Sequence, residues 1–259
     1  MKPIHATRSA FTLLLVLAFA LAFPIAAVSA QDEPSGEIAS TWIIWAKPGA
    51  AADFEKALKS HAAWRKQAGD PMNWRIYAPV AGDDLNHYVI RSDGHHWKDF
   101  DAENAWAMKA GAGDAFNQQV GVYVAEVKHY FDRHDAEHSH WTDNSDYRYF
   151  SVNTIRFLPG QEPQFYAALK TVAAAAKAGD WGRSWSIMSL TGGSNDINVV
   201  WPYTSYADMA QIEPGFVKVL GDHMGSPEAA RELLDGIGAT IAESSSTIYV
   251  YRPDLSTPQ

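Results

Sequence analysis

The alternation of apolar and polar positions predicts a regular series of elements in the first part of the chain. Residues 41–45 are β-branched or aromatic, which predicts a strand. Within 51–66, a single helix face carries side chains three and four residues apart: Phe54, Ala57, Leu58, His61, Ala62 and Arg65. The pattern then predicts two strands joined by a turn, a helix and a closing strand, at 73–78, 87–91, 97–108 and 122–131.

The later part of the chain repeats this order. A strand at 149–157 precedes a helix at 162–178, and two strands at 184–190 and 197–201 form a hairpin. Further helical sequence follows. It includes a start at Ser226-Pro227-Glu228, where a capping residue precedes a proline at the first helical position. The last strand covers 247–252.

Identical residues connect the two parts. When 48–82 are shifted by 111 positions without a gap, the matches include Pro48/Pro159, Gly49/Gly160, Phe54/Phe165, Leu58/Leu169, Trp74/Trp185 and Ile76/Ile187. A repeat of this length is a whole small domain rather than a solenoid unit. We therefore expect one unit over 37–133, a polar, histidine-rich linker over 134–146 and a second unit over 147–254.

The N-terminal residues 1–30 have the pattern of a cleavable signal peptide. Lys2 and Arg8 precede an apolar run over 11–23, and Val28-Ser29-Ala30 offers small residues for cleavage before Gln31. The alternative is a membrane anchor, but a span needs about 20 apolar residues and Pro24 interrupts this run. The sequence predicts a periplasmic or secreted protein with no membrane segment after cleavage.

Charge and composition narrow the class of function. The chain has a net charge of −9, and loss of Lys2 and Arg8 makes the mature protein more negative, which argues against nucleic acid or an anionic membrane as partner. With no cysteine, it has no disulfides, thiolate nucleophiles or iron–sulfur clusters. Its 10 tryptophans supply aromatic area for a core or for ligand stacking.

Strand–helix–strand–strand–helix–strand is the order of a ferredoxin-like unit, so the fold class is α+β. Such a sheet is covered by helices on one face only, and two units can bury their other faces against each other as a barrel. The chain resembles the dimeric α+β barrel superfamily, specifically its antibiotic-biosynthesis-monooxygenase-like branch, present twice in tandem. The resemblance rests on the repeated Pro-Gly after strand one and on the passage 201–209, similar to that branch's Trp-x-Ser-x-x-x-Phe region. It implies a barrel built within one chain, and hence a monomer.

The resemblance also implies a working cavity between the sheet and the helices of one unit. The superfamily includes oxygenases that hold no cofactor, haem-degrading enzymes and members without catalysis, so fold alone does not decide the activity. Haem-degrading members carry an Asn on strand one and a Trp and a His ten residues apart on the second helix. Asn153 and His223 fit that description, but Glu213 stands where the Trp is required. We therefore expect no tightly held cofactor.

Positions that differ between the repeats identify candidate catalytic residues. His61 lies on the apolar helix face where the second unit has Val172. It is either an acid–base group or a histidine of the core. Arg75 and Tyr77 face away from Trp74 and Ile76, whose side we expect to be the core shared by the units. They either anchor a ligand or lie on an outer surface.

Histidines suggest further contacts. Eight of the ten lie between His61 and His140, and His134-x3-His138 would present two imidazoles on one helical face, as a divalent metal requires. The alternative is a solvated linker. At the corner between strand three and the next helix, His96 and Trp97 are candidate ligand contacts, as are Asn153, Trp201 and His223 in the second unit.

Together these features predict an exported protein that accommodates a small apolar or aromatic molecule. One interpretation is a cofactor-independent oxygenase-type enzyme, and the other is a non-catalytic ligand-binding or stress-related module. The two differ because a catalyst needs a positioned acid–base group, whereas a binder needs only shape and stacking. The first unit is richer in such groups, so we expect activity there if only one unit is active.

Overall fold

The computed structural model describes residues 36–142, 144, 146–194 and 196–258. The predicted signal peptide, residues 1–30, lies outside this part of the chain. No helix within the described residues has the length and apolar character needed to cross a bilayer.

The elements of the first half follow the predicted order. They are β1 (Ile38–Ala46), α1 (Ala51–Gln67), β2 (Arg75–Ala81), β3 (His87–His95), α2 (Trp97–Ala110), α3 (Ala112–Gln119) and β4 (Val124–His140). The predicted helix at 97–108 ends at Gly111, whose φ of +66° is a left-handed conformation suited to glycine. Gly113, by contrast, lies inside α3.

The second half contains β5 (Tyr149–Phe157), α4 (Glu162–Ala178), β6 (Trp185–Thr191), β7 (Ile197–Tyr203), α5 (Phe216–Met224), α6 (Pro227–Ala239) and β8 (Ile241–Tyr251). The Ser226 side chain accepts a hydrogen bond from the Ala229 amide at the start of α6, as the sequence predicts. The repeated Pro-Gly turns are also equivalent, because Gly49 and Gly160 both have φ of +78°.

The eight strands close into one barrel in the order β1-β3-β2-β8-β5-β7-β6-β4. Each half contributes the same internal order, β4-β1-β3-β2 and β8-β5-β7-β6. The halves join where β2 pairs with β8 and where β4 pairs with β6, in both cases antiparallel. Closure leaves no strand edge unpaired. This is a mixed α+β fold with a closed eight-stranded barrel.

The large apolar side chains of the sheet face the helices, and this corrects one expectation. Trp74 and Ile76 pack with Phe54 and Leu58 of α1 in the core of the first half, and do not form a core shared between the halves. A matching core in the second half includes Ile187 and Phe165. Because side chains alternate along a strand, the opposite face lines the barrel interior, and it carries many polar groups.

The structure also differs from the predicted linker. Residues 134–140 are the second half of β4, which pairs with β6 from Phe131↔Thr191 to His140↔Trp185. A register shift between Asp135 and His140 accommodates the polar residues of this stretch. A strand can carry polar side chains where one of its faces meets solvent or a polar barrel interior. The polarity of residues 134–140 is therefore compatible with a strand as well as with a linker.

The C-terminal segment after β8 returns to the first half. The Arg252 and Thr257 amides donate to the carbonyl oxygens of Ile76 and Trp74. Leu255, only 2% exposed, belongs to the core of the first half. The two halves therefore share core residues as well as strand pairing.

Candidate functional site

A cavity of about 840 Å³ lies between the sheet and the helical segment of the second half, and we call it the helix-side cavity. Its strand wall consists of Ser151 and Asn153 on β5, Trp201 and Tyr203 on β7, and Ser246 on β8. The opposite wall comes from Trp181, Arg183 and residues 209–213 and 215–218. Asn153 and Trp201, both predicted as ligand contacts, are thus brought to one site.

Aromatic rings shape this cavity. Trp181 packs against Phe216 with ring centroids 4.7 Å apart, and its indole N–H donates to the Pro214 carbonyl oxygen at 3.1 Å. Trp201 contacts Trp185 of the core at 5.6 Å. Because these rings are held by the core and by the backbone, they form a rigid apolar surface for a flat molecule.

Arg183, one of two cationic residues in the helix-side cavity wall, is held in place by its neighbours. The Arg183 guanidinium donates to Asp208 at 2.9 Å and to the Ala210 carbonyl oxygen, and it lies 5.2 Å from the Tyr203 ring centroid. Burial raises the pKa of Tyr203, so its phenol stays neutral and can donate a hydrogen bond. Arg183 is neutralised by Asp208, and Lys218 pairs with Asp222 at 2.7 Å, so both cations of the described lining already have a counter-ion.

Comparison with the first half explains why this space is open. Asn153 on β5 is paired with Ser246 on β8. The equivalent pair in the first half is Trp42 on β1 and His129 on β4. Trp42 and His129 stack with ring centroids 3.9 Å apart, and Ser40 bonds the His129 ring at 2.9 Å. Two rings in the first half are replaced by two small polar side chains in the second. The sheet–helix cavity therefore lies in the half in which we did not expect it.

A second and larger cavity, of about 1480 Å³, occupies the interior of the barrel, and we call it the barrel cavity. Residues from all eight strands line it. Near the β1–β4 pair, Arg91 donates to Asp132 Oδ2 at 2.5 Å and to Thr41 Oγ1 at 2.9 Å, and Thr41 donates to the same carboxylate oxygen at 2.7 Å. The Asp132 side chain is 2% exposed. Burial lowers the pKa of Arg91, but Asp132 and Asp93 outweigh it and raise the pKa overall, so the guanidinium stays charged.

Arg75 and Tyr77 line the barrel cavity rather than an outer surface. The Arg75 guanidinium lies 3.9 Å from Asp93 but is 55% exposed, so this ion pair is weak. Burial raises the pKa of Tyr77 to about 12, which keeps the phenol protonated at neutral pH. Both residues lie near Arg91 and face the barrel interior, whereas the helix-side cavity is on the other face of the sheet.

His61 lies in the core of the first half and lines neither cavity. It is 3% exposed, its Nδ1 is 3.2 Å from Gln119 Oε1, and its ring packs against Trp64 and Phe116. Burial lowers the pKa of His61, and the hydrogen bond with Gln119 acts in the opposite direction. The surroundings match the alternative of a core histidine, and its catalytic role stays a prediction.

Three other predicted contacts also lie away from the two cavities. His96 precedes α2, and its amide donates to Asp99 at 2.7 Å, as at a helix start. Trp97 is 45% exposed and packs edge-on against Phe131. His223 is exposed on α5. The predicted corner between strand three and the helix exists, but it opens onto the surface.

The predicted metal pair is not assembled. His134 lines the barrel cavity, whereas His138 packs against Tyr166 of α4 on the other face and bonds Asp135 at 2.7 Å. The two residues are in a strand instead of a helix, and the register shift between them turns their side chains to opposite faces. Within the described residues, no group of three or more His, Asp or Glu side chains could hold a metal ion.

The residues do not fit the haem-degrading pattern either. Asn153 and Glu213 line the helix-side cavity, but His223 does not. His223 therefore does not place an axial imidazole over this cavity.

Residue patterns alone did not single out Arg91, Asp132, Thr41, Trp181, Arg183 or Ser246. A signal existed for some of them. Thr41 and Arg91 pair across β1 and β3 where the second half pairs Val152 with Val200. Comparing twin positions on every strand, rather than only on α1 and β2, would have revealed this difference.

No protein-family model matches this sequence, and a search of curated proteins finds no significant relative. Among solved structures, the fold is similar to a putative monooxygenase from Fusobacterium nucleatum, with a TM-score of 0.54, 10% identity, and coverage of 84% of this chain and 93% of that one. A putative monooxygenase from Lactobacillus acidophilus has a TM-score of 0.51, 10% identity, and coverage of 83% and 94%. A mutant chlorite dismutase from Candidatus Nitrospira defluvii has a TM-score of 0.52, 11% identity, and coverage of 86% and 94%.

These similarities confirm the predicted resemblance to dimeric α+β barrel proteins at the level of fold. Each covers most of both chains, so the whole barrel is matched and not one half of it. At such low identity the likeness says nothing of activity or substrate.

Proposed function

We propose that this protein binds a small, flat aromatic molecule in the helix-side cavity. The observation that carries the proposal is the exchange of the Trp42–His129 stack for Asn153 and Ser246, which leaves space between sheet and helices in the second half. Aromatic walls with a few polar groups are the usual composition of a small-molecule site. Trp181, Trp201 and Phe216 supply the walls.

The cavity lining indicates the chemistry of this molecule. Its volume of about 840 Å³ lies within the range of small-molecule sites, roughly 300–1,000 Å³. Asp208 neutralises Arg183 and Asp222 pairs with Lys218, so the described lining has no unpaired cation for an anion, and a neutral molecule fits better. A hydroxyl or carbonyl group on the ring would meet Asn153, Ser151 and Ser246 on the strand wall.

Binding without turnover agrees better with the lining than an oxygenase reaction does. A catalyst needs an acid–base group with a pKa near the working pH. The titratable residues in the described lining are Arg183, Tyr203, Glu213 and Lys218, and burial raises the pKa of Tyr203 away from neutrality. Cofactor-independent oxygenation is the second candidate, favoured only by the fold, and oxygen uptake during binding would support it.

The deciding experiment starts from protein purified from the cells that produce it. Native mass spectrometry identifies a co-purified molecule, and its affinity is then measured by calorimetry. The double variant Asn153→Trp, Ser246→His imports the rings of the first half and should abolish binding while the thermal midpoint is retained. Val152→Ala, adjacent to Asn153 but facing the barrel cavity, is the matched control and should bind normally.

Two results would count against the proposal. One is equal binding by the wild type and a folded double variant. The other is loss of binding in Val152→Ala, which would assign the ligand to the barrel interior. If the double variant fails to fold, Ser246→His alone narrows the cavity and gives the same test.

We also propose that the protein is exported, with residues 1–30 removed before Gln31 and the mature chain acting in the periplasm or outside the cell. The basic and apolar pattern of that segment supports this. Intact-mass measurement of the protein from cell fractions tests it. A mass that includes residues 1–30 would contradict export by cleavage.

Finally, we propose that the chain is a duplicated pair of ferredoxin-like units, 37–133 and 147–254, that functions as a monomer. The identical strand order in both halves and the closed barrel support duplication, because one chain supplies both sides of the seams. Light scattering should give the mass of one chain. A stable dimer at micromolar concentration would contradict the proposal.

A further inference from the structure

We propose that the barrel cavity is a second binding site, for a neutral ring-shaped molecule that carries two or more hydroxyl groups. Three buried polar atoms on its wall lack a hydrogen-bond partner among the described residues: Asp132 Oδ1, His134 Nε2 and Ser186 Oγ. Asp132 and Ser186 are 2% and 1% exposed. Buried polar groups are almost always paired, so three unpaired atoms on one wall indicate a missing partner.

These three side chains share the β4–β6 wall of the barrel cavity. Asp132 and His134 are two residues apart on the same face of β4, about 7 Å along the strand. His134 pairs with Met188 of β6, and Ser186 is two residues from Met188 on the same face. A ring with hydroxyl groups at two positions can bridge Asp132 and His134, and Ser186 lies two residues further along the same wall.

The neighbouring arginine adds unused donor capacity. Arg91 Nη1 is occupied by Asp132 and Thr41, whereas the described contact of Nη2 is the Met188 sulfur at 3.8 Å, a weak acceptor. Asp132 Oδ1 can accept and Arg91 Nη2 can donate. A hydroxyl group both donates and accepts, so a single hydroxyl satisfies both residues.

The fold itself does not require these polar groups. Strand register identifies the equivalent positions in the second half. They are Val152 for Thr41, Val200 for Arg91, Tyr249 for Asp132 and Tyr251 for His134. The same barrel positions are therefore filled there by aliphatic and phenolic side chains. A buried ion pair is weak evidence for stability, so its presence in one half only points to a ligand.

Charge balance selects a neutral molecule. Each charged residue of the described lining lies beside an opposite charge; the pairs are Arg91–Asp132, Arg75–Asp93, Asp196–Arg156, Glu37–Arg133 and Lys128–Glu126. An ionic ligand would either remain without a counter-ion or take the partner of one of these groups and leave the other unpaired. Tyr77, Tyr130, Tyr249 and Phe150 also line the cavity, and their rings suit a ring-shaped guest.

The cavity is accessible from outside. Its lining includes Gly192, Gly193 and Ser194 of the β6–β7 hairpin, which are exposed. A small molecule can therefore enter at this end of the barrel without opening strand pairs.

Calorimetry of the mature protein with catechol, inositol and phenol tests the proposal. The double variant Asn153→Trp, Ser246→His serves as background, so that the helix-side cavity does not contribute. We expect one equivalent of catechol or inositol to bind, and phenol, which has one hydroxyl, to bind more weakly. Preference for catechol indicates a flat hydroxylated ring, and preference for inositol indicates an aliphatic polyol.

Substitutions locate the binding. Ser186→Ala and His134→Phe each remove an unpaired polar atom, so both should fold and each should weaken binding by about fivefold or more. Thr154→Val is the matched control, because it removes a barrel-cavity hydroxyl that already bonds Asn198 at 2.8 Å. No binding at millimolar concentration, or equal affinity in Ser186→Ala and His134→Phe, overturns the proposal.

Discussion

Arg252 and Glu55 are joined by two parallel hydrogen bonds, Nη1 to Oε1 at 2.8 Å and Nη2 to Oε2 at 2.9 Å. Arg252 follows the last strand of the second half, and Glu55 lies on the first helix of the first half. This fork-to-fork geometry fixes the direction in which the C-terminal segment leaves the barrel. The segment then places Leu255 in the core beside α1.

Leu255→Ala should lower the free energy of unfolding by about 2–4 kcal/mol, because it leaves a hole in a fully formed core. Arg252→Ala should cost less, about 1 kcal/mol, since its ion pair is partly exposed. Urea unfolding of both variants checks the ranking. A larger loss for Arg252→Ala would mean that the ion pair, and not the packing of Leu255, holds the segment.

The first half expressed alone, residues 37–133, should not fold to a stable monomer. It would lose the pairing of β2 with β8 and of β4 with β6, together with Leu255. Two exposed strand edges and an open core favour association or disorder. Circular dichroism and light scattering would check this, and a cooperative thermal transition in a monomeric fragment would contradict it.

Stability should decrease as the pH falls through about 6.5. Burial is the largest cause of a lowered pKa in five histidines: His61, His87, His95, His129 and His134. The unfolded chain then binds more protons than the folded one below the ordinary histidine pKa. Above about pH 6.5 the neutral histidines contribute fully to the free energy of unfolding. This contribution is lost as the pH falls towards their lower pKa values in the folded protein. Urea midpoints measured over this range test the sign, and greater stability in acid would refute it.

His61→Val should fold and change the free energy of unfolding by no more than about 1 kcal/mol, because Val172 occupies the twin position on α4. It should also reduce the loss of stability on acidification, since one buried imidazole is gone. Ligand binding in the helix-side cavity should be unaffected. If the variant unfolds, the hydrogen bond between His61 and Gln119 is essential for folding. If the variant folds but loses ligand binding or turnover, His61 has the catalytic role.

Asp132→Ala should cost about 3 kcal/mol, because Arg91 would remain largely buried without the carboxylate 2.5 Å away. Adding Arg91→Val should recover part of this loss, since the second half has Val200 at the equivalent position. A double-mutant cycle by urea unfolding measures the coupling. Additive losses would show that the two residues do not depend on each other.

The order of elements and the repeat were predictable because they depend on local patterns. Strand and helix periodicity located Phe54 and Leu58 on one face of α1, and the identities at Trp74/Trp185 and Ile76/Ile187 revealed equivalent strands. The direction of the His61 pKa shift followed from the same pattern, since a histidine on an apolar face is desolvated. The polar stretch 134–140 was misjudged because pairing with β6, and not composition, makes it a strand.

The sequence by itself determined the duplicated order of strands and helices, the apolar faces that must be buried, and candidate residues such as Asn153 and Trp201. The tertiary structure decided which of them meet. Register across β5 and β8 places Asn153 beside Ser246, and register across β1, β3 and β4 gathers Thr41, Arg91 and Asp132. A one-residue shift in pairing would send each side chain to the opposite face. The cavities therefore depend on long-range pairing, which no local pattern in the chain encodes.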